Sequence, residues 1–383
     1  MKRVALLIET SRAYGRGLIR GAAQYNHEHG RWSVYFQPHG LDDPPPQWLR
    51  KWRGDGILAR IGDRACADLV LKLGVPVVAL RAMLRDLGLP LIEVDNRAVA
   101  QMAVEHLRQR GFRHFGFCGL PRGLWRCMDD RCDHFRCLVE QAGEHCHVFP
   151  ARRPRSRRNG WEDEQNDLAR WLRSLPKPVG LMACNDDRGL QLLDACRRAN
   201  IRVPDEAAVV SVDNDEYLCS LAIPALTSID VNPQRIGYEA AALLDRMMAG
   251  RAAPRQALAI GPLGVVTRAS TDVLATDDQQ VVAAVGFIRA HACQQICVAD
   301  VLQHVRLSRG ALEPRFKAVL GHTIHAEMQR VQIAEVKNLL SASDLPLKQI
   351  ARRCGFNYTQ YMARAFRQAT GLTLSEYRQR ART

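Results

Sequence analysis

From residue 4 to about 270, short runs of β-branched or apolar residues alternate with stretches of helical period, the rhythm of parallel sheets covered by helices on both faces. The first series predicts strands over residues 4–8, 33–37, 56–60, 75–80 and 91–94, with a helix from about residue 16 to 29 after the first. A second series predicts strands over 114–118, 179–184 and 208–212. Two half-sized sheets imply an α/β fold of two lobes with a cleft between them. Around 269–278 the rhythm stops in a short polar segment. A linker is placed at 273–279, between a domain over 1–272 and another over 280–383.

Beyond the linker the pattern turns wholly helical and repeats itself. Phe316, Gly321 and Thr323 recur fifty positions later as Phe366, Gly371 and Thr373, and Leu312 is answered by Met362. Each copy follows an amphipathic stretch, around Val301-Leu302 in the first and Ile350-Ala351 in the second. A tight connection leads to a second periodic stretch with basic and polar residues on its outer side. Two helix-turn-helix units in tandem fit this arrangement.

Charge sharpens the picture. Lys and Arg number 54 against 40 Asp and Glu, a net charge of +14 over 383 residues. From residue 277 onward there are fifteen basic and eight acidic residues, so the surplus is densest at the end that repeats. Nucleic acid is the leading partner for such a chain. The strongest basic run, residues 150–158, contains prolines and reads as a solvated loop, with a phosphate contact as the alternative. The apolar run Val4 to Ile8 is too short for a signal-peptide core or a membrane span. Twelve cysteines without a Cys-x-x-Cys pair then read as reduced thiols in a cytoplasm. Cys127, Cys132 and Cys137 recur every five residues around His134, a spacing that scatters side chains around a helix and disfavours a metal site. No cofactor is expected.

Particular segments carry a family resemblance. The opening Val4-Ala-Leu-Leu-Ile-Glu-Thr-Ser11, Val94-Asp-Asn96, Ala183-Cys-Asn-Asp-Asp187, Val209-Val-Ser-Val-Asp-Asn214 and Leu226-Thr-Ser-Ile-Asp230 resemble the effector-binding core of LacI/GalR-type regulators, a periplasmic-binding-protein-like fold. Those regulators place a helix-turn-helix ahead of the first strand, whereas here that strand begins at residue 4. Gly355-Phe356, Tyr361, Phe366 and Gly371-Leu-Thr-Leu-Ser-Glu-Tyr-Arg378 resemble the double helix-turn-helix of AraC/XylS-type activators. A sensor of the first kind ahead of a reader of the second resembles the xylose-operon type of regulator. The resemblance implies a transcription activator with a small sugar effector, D-xylose or a related pentose. It also implies double-stranded promoter DNA and RNA polymerase as partners and a homodimer, with no membrane.

In open α/β folds ligands sit beyond the carboxyl ends of the strands. Residues there that suit sugar hydroxyls are Ser11, Tyr14 and Arg16 after the first strand, and Trp125 and Arg131 after residue 118. Asn185 and Asp186 follow the strand over 179–184, and Asp213 and Asn214 the strand over 208–212. The resemblance places Arg131, Asn185 and Asp213 where such sensors hold effector hydroxyls, Asp213 foremost. The alternative for an Asp or Asn after a strand is a helix cap, and for Trp125 plain packing in place of stacking on a sugar.

In the reader, Ser308 is a natural N-cap for a groove helix over 309–317 that exposes Arg309, Gly310 and Glu313. Pro314 inside that helix removes a backbone donor and puts base reading by the first unit in doubt. In the second unit Tyr358, Thr359, Gln360 and Arg364 are the candidates, the last two one turn apart opposite Met362 and Phe366. Gln suits adenine and Arg guanine, with a plain phosphate contact as the alternative for Arg364. Catalysis finds little support. Gly15, Gly17 and Gly21 follow G-x-G-x-x-x-G, starting well after the strand, so the tight phosphate-binding turn is missing. The adjacent acids Asp129/Asp130 and Asp186/Asp187 face different ways. A sugar-binding protein without specific DNA reading and a sugar-modifying enzyme are the rival readings.

Overall fold

A computed structural model describes the chain except residues 31, 41–42, 82–83, 85–86, 153–159, 255, 274–275, 277 and 383 and the side chains of 341–342 and 380–382. Most of the basic run at 150–158 and part of the expected linker therefore lie outside the described residues. The chain divides into two compact units, residues 1–107 with 112–273, and 108–111 with 274–383.

The first unit opens with β1 (Lys2–Leu7), α1 (Ala13–His29), β2 (Trp32–Phe36), β3 (Gly56–Ala59), α2 (Arg64–Lys72), β4 (Val77–Leu80) and β5 (Leu91–Val94). Helix α3 (Asn96–Arg108) leads into a second series: β6 (His114–Cys118), α4 (Arg126–Gln141), β7 (Cys146–Val148), α5 (Gly160–Ser174), β8 (Val179–Ala183), α6 (Asp186–Arg198), β9 (Ala207–Val212), α7 (Glu216–Leu221) and β10 (Thr227–Asp230). Helix α8 (Pro233–Met248), β11 (Leu258–Ile260) and β12 (Gly264–Val266) complete it. One six-stranded sheet has the order β11-β5-β4-β3-β1-β2 and the other β12-β10-β9-β8-β6-β7, so the chain crosses between lobes three times. The central strands are buried on both faces, as the continuous apolar runs require.

The sequence pattern missed β7, β10, β11 and β12. Three of these are three-residue strands with partly exposed positions, too short to show a period. Nor are the sheets wholly parallel: β12 runs antiparallel to β10, with Ile229 opposite Val265.

The glycines that mimic a dinucleotide loop have another use. Gly15, Gly17 and Gly21 lie inside α1, and a Cβ on Gly21 would collide with the Gln234 carbonyl, one on Gly17 with the Pro233 ring. On the facing helix, a Cβ on Gly237 would strike the Leu18 backbone. Small residues thus let α1 and α8 approach backbone to backbone.

The second unit is all helical: α9 (Gln279–His291), α10 (Val298–Val305), α11 (Arg309–Leu320), α12 (Ile324–Ala342), α13 (Leu347–Arg353), α14 (Thr359–Thr370) and α15 (Leu374–Arg382). The repeated sequence now has a mechanical meaning. Phe316 and Phe366 are fully buried, one in each of two cores. Gly321 and Gly371 end α11 and α14 in the left-handed conformation, φ 79° and 73°. Thr323 caps α12 through Ala326 N (3.2 Å), and Thr373 caps α15 through Glu376 N (3.2 Å). Helix α12 joins the halves, with Ile324 and Met328 in the first core and Ile333, Val336 and Leu340 in the second. Pro314 does not interrupt α11, which continues to Leu320.

Gly237→Ala forces α1 and α8 apart and is expected to cost about 1–3 kcal/mol. Gly286→Ala in α9, where a Cβ meets nothing, is expected to be neutral or stabilising by up to about 1 kcal/mol. Urea unfolding of the two variants checks the contrast.

Candidate functional site

Where the two lobes of the first unit meet, the carboxyl ends of β1, β3 and β4 deliver charged side chains to a buried interior. Glu9 and Arg60 form a buried ion pair. Arg81 is buried and left-handed (φ 68°), with its guanidinium 4.5 Å from the Tyr14 ring centroid. The Arg60 guanidinium lies 5.3 Å from the same centroid. Tyr14 is thus a buried ring between cations, and burial pushes its hydroxyl well above the usual phenol range, leaving it a neutral donor. That hydroxyl has no partner among the described residues.

The opposite lobe answers. Asp213 follows β9 and accepts from Arg81 Nη2 at 3.3 Å. Arg131, from α4, is fully buried; its Nε donates to Asn96 Oδ1 at 3.1 Å and its Nη1 to the Cys184 carbonyl, while Nη2 has no partner among the described residues. A buried donor without a partner costs about 1–3 kcal/mol, and here Arg131 Nη2 and the Tyr14 hydroxyl are two such groups. Beside this cluster a cavity of about 190 Å³ is lined by Glu9, Asp43, Arg60, Asp63 and Trp125, among others. Carboxylates, a guanidinium and an indole around a small space form a surface suited to a polyol.

Farther out, more charge spans the lobes. Arg12 holds Asp187 through two bonds, 2.9 and 2.7 Å. Ala13 N donates to Asp215 Oδ2 at 2.7 Å, and Arg16 Nη2 lies 3.6 Å from the same oxygen.

The residues expected from sequence divide accordingly. Tyr14, Arg131 and Asp213 converge in the buried cluster, and Trp125 is on the cavity wall. Arg16 belongs to the outer contacts, also donating to the Thr10 carbonyl (2.8 Å), and Ser11 is exposed. Asn185 is spent as the cap of α6, accepting from Arg188 N at 3.0 Å. Both oxygens of Asp186 are engaged within its own lobe, by Ser228 Oγ (2.6 Å) and Asp215 N (2.7 Å). Asn214 Oδ1 accepts from Arg268 at 2.9 Å, and its Nδ2 donates to Asp230 at 3.3 Å. In this structure the side chains of Asn185, Asp186 and Asn214 are engaged by the protein's own backbone and loops. Glu9, Arg60 and Arg81 were missed, although each directly follows a strand or its last apolar residue. On α4, Cys127 and Cys132 are buried and Cys137 is exposed.

In the second unit, α10–α11 and α13–α14 are the two helix-turn-helix pairs. Ser308 caps α11 through Ala311 N (3.3 Å). Arg309 and Glu313 bind each other at 2.6 Å, and Arg315 holds Asp278 through two bonds. Charge on the first helix-turn-helix is therefore largely neutralised within the protein. Tyr358 at the N-cap of α14 and Gln360 and Arg364 on it are exposed and Thr359 is half-buried, above inward Met362 and Phe366. Arg364 and Arg367 line a groove shared with Thr373 and Leu374 at the start of α15.

A two-lobed α/β sensor with a charged interlobe cage, together with two helix-turn-helix pairs, defines a ligand-responsive DNA-binding transcription regulator. Residues 3–88 match the XylR N-terminal domain family, 104–271 the periplasmic binding protein-like domain and 301–380 a helix-turn-helix domain. The chain is 31% identical over 382 residues to the xylose operon regulatory protein of Haemophilus influenzae, covering 98% of both. Its identity to that of Escherichia coli K12 is 31% over 385 residues, covering 98% of this chain and 96% of the other. A solved structure described as the xylose-binding transcription activator XylR superposes with a TM-score of 0.64 at 31% identity, over 99% of this chain and 98% of that one. The chain belongs to the xylose operon regulatory protein family.

Glu327, at the start of α12, links the reader's fold to pH. Burial alone would raise its pKa, but Arg330 (2.7 and 2.6 Å) and His322 (2.9 Å) outweigh burial and lower it to about 2. A depressed carboxylate contributes stability above its ordinary value of 4.5 and loses it as pH falls toward 2. Glu327→Gln is expected to remove about 3 kcal/mol at pH 7 and to flatten the acid limb, as read by helical circular dichroism from pH 7 to 2.

Proposed function

We propose that the chain is a sugar-responsive transcription activator whose effector is D-xylose or a close pentose, held between the lobes by Asp213, Arg131, Tyr14 and Trp125. The observation that carries this reading is the buried cage itself: donors without a partner among the described residues, Arg131 Nη2 and the Tyr14 hydroxyl among them, beside a carboxylate and a cavity walled by acids and an indole. Each sugar hydroxyl both donates and accepts, so a pentose satisfies these groups without bringing a charge. Full-length kinship to regulators named for the xylose operon supports the same effector. Residues 1–272 act as the sensor and 280–383 as the reader, with 273–279 as the linker.

Sugar binding favours the closed lobes by its differential affinity for them. In a homodimer that closure changes how four helix-turn-helix units meet promoter DNA, with RNA polymerase recruited beside them. Gln360 and Arg364 read bases, while Arg352 and Arg367 hold phosphates. Ser308, Arg309, Glu313, Tyr358 and Thr359 complete the DNA-facing set. The chain has no catalytic role in this account. In support, the acid pairs are already occupied: Asp129 accepts from Gly123 N (2.9 Å), Asp130 is paired with Arg126 (3.3 Å), and Asp186 and Asp187 hold the contacts above. Among the described residues no helix is long and apolar enough to cross a membrane.

Footprinting of promoter DNA with and without D-xylose tests the switch. Protection is expected to change with sugar, and identical protection together with no calorimetric sugar binding would refute it. Arg364→Ala is expected to cost about 1–3 kcal/mol and to relax preference at one base position. A uniform loss across sequences, with a shallower salt dependence, would instead make Arg364 a phosphate contact.

A further inference from the structure

We propose that Asp186 is the positioning residue of the effector site: without touching the sugar, it holds the 213–215 loop that carries the second lobe's carboxylates to the first. The proposal rests on the reading of Asp213 as an effector contact. The loop needs such a support. Asp213 and Asn214 both adopt positive φ, 104° and 50°, a region that residues with a Cβ enter only when their surroundings enforce it. The enforcing bonds converge on one carboxylate. Asp186 Oδ2 accepts from Asp215 N at 2.7 Å. Its Oδ1 accepts from Ser228 Oγ at 2.6 Å, and Ser228 Oγ in turn accepts from Asn214 N at 3.0 Å. Two consecutive loop amides are thus fixed by Asp186, one directly and one through Ser228.

From that fixed loop, side chains leave in two directions. Asp213 reaches Arg81 in the cage, and Asp215 reaches Ala13 N and Arg16 at the outer contact. Asp186 is itself 2% exposed at the first position of α6, so its place is set by the fold and not by solvent.

The ionised form is the one that can accept both bonds; a proton on either oxygen takes away an acceptor. The groups facing this carboxylate are Asp213 and Asp215 on the loop, the Cys219 thiol of α7, and the Ser211 and Ser228 hydroxyls of β9 and β10. Burial, followed by the charge of Asp213, raises the Asp186 pKa to about 7. Sugar affinity that depends on the ionised form is therefore present above that value and lost as pH falls through it. Stability carries the opposite sign. A raised folded-state pKa makes the ionised group a cost, so stability declines as pH rises from 4 toward 7.

The test uses the full chain and calorimetry with D-xylose from pH 6 to 8, with hydrogen exchange on the sugar-free protein. Asp186→Asn is expected to lose about tenfold or more in affinity at pH 8, the loss of a hydrogen bond to a charged group, and to show no pH step. Amides of 213–215 and of Ala13 are expected to exchange faster in the same variant, while those of α8 are unchanged. Ser228→Ala removes one bond and leaves the charge, and is expected to give a smaller loss with the pH step retained. Wild-type affinity and wild-type pH profile in Asp186→Asn would overturn the proposal. If the wild type binds no D-xylose, the effector reading falls, and the exchange data decide separately: unchanged exchange at 213–215 overturns the positioning role, and faster exchange supports it.

Discussion

Three guanidinium groups, those of Arg60, Arg81 and Arg131, are buried where two lobes meet, and the sensor is organised around keeping them there. Removing such a charge from water costs several kcal/mol even after relaxation. Glu9 offsets the first and Asp213 the second, while Arg131 has only neutral acceptors, Asn96 and a backbone carbonyl. The two carboxylates come from opposite lobes, so part of the compensation exists only when the lobes are together. Closing the cleft is then an electrostatic event as much as a steric one, and the outer Arg12–Asp187 and Asp215 contacts act in the same direction.

On the proposed reading, that arrangement suits a neutral polyol as the signal. A charged effector would have to displace one of the internal pairs, whereas hydroxyls can add bonds to Arg131 Nη2 and the Tyr14 hydroxyl while Arg81 and Asp213 remain paired. On that reading the protein supplies the charge and the sugar completes the hydrogen bonding. In the reader the economy differs between the two halves. Helix α11 neutralises its own Arg309 with Glu313, while α14 presents Gln360 and Arg364 without partners among the described residues. The second helix-turn-helix has the greater capacity for base contact.

Much of this was legible in the chain. The Phe-Gly-Thr repeat announced the paired helix-turn-helix units because each residue does one job: Phe fills a core, Gly turns left-handed, Thr caps the next helix. Alternating apolar runs gave the two-lobed sensor, except where β7, β11 and β12 were too short to carry a period. The site was harder to read. Searching after each strand picked out Tyr14, Arg131 and Asp213, which the fold gathers in the buried cluster, and Trp125 on the cavity wall, but passed over Glu9, Arg60 and Arg81 of the same cluster, which lie at strand ends. Asn185, Asp186 and Asn214 lie in equally eligible positions, yet their partners are a helix N-terminus, Ser228 with a loop amide, and Arg268 with Asp230. Nothing in a linear sequence distinguishes a carboxylate facing a cavity from one facing its own backbone.

The most direct test of the buried cage as sensor is a crystal structure of the full chain grown with D-xylose. The account predicts one sugar between the lobes, with a hydroxyl oxygen within hydrogen-bond distance of Arg131 Nη2 and another on Asp213, and the Trp125 indole against the ring. A sugar bound elsewhere, or the cage empty at saturating D-xylose with Arg131 Nη2 still unpartnered, would contradict it.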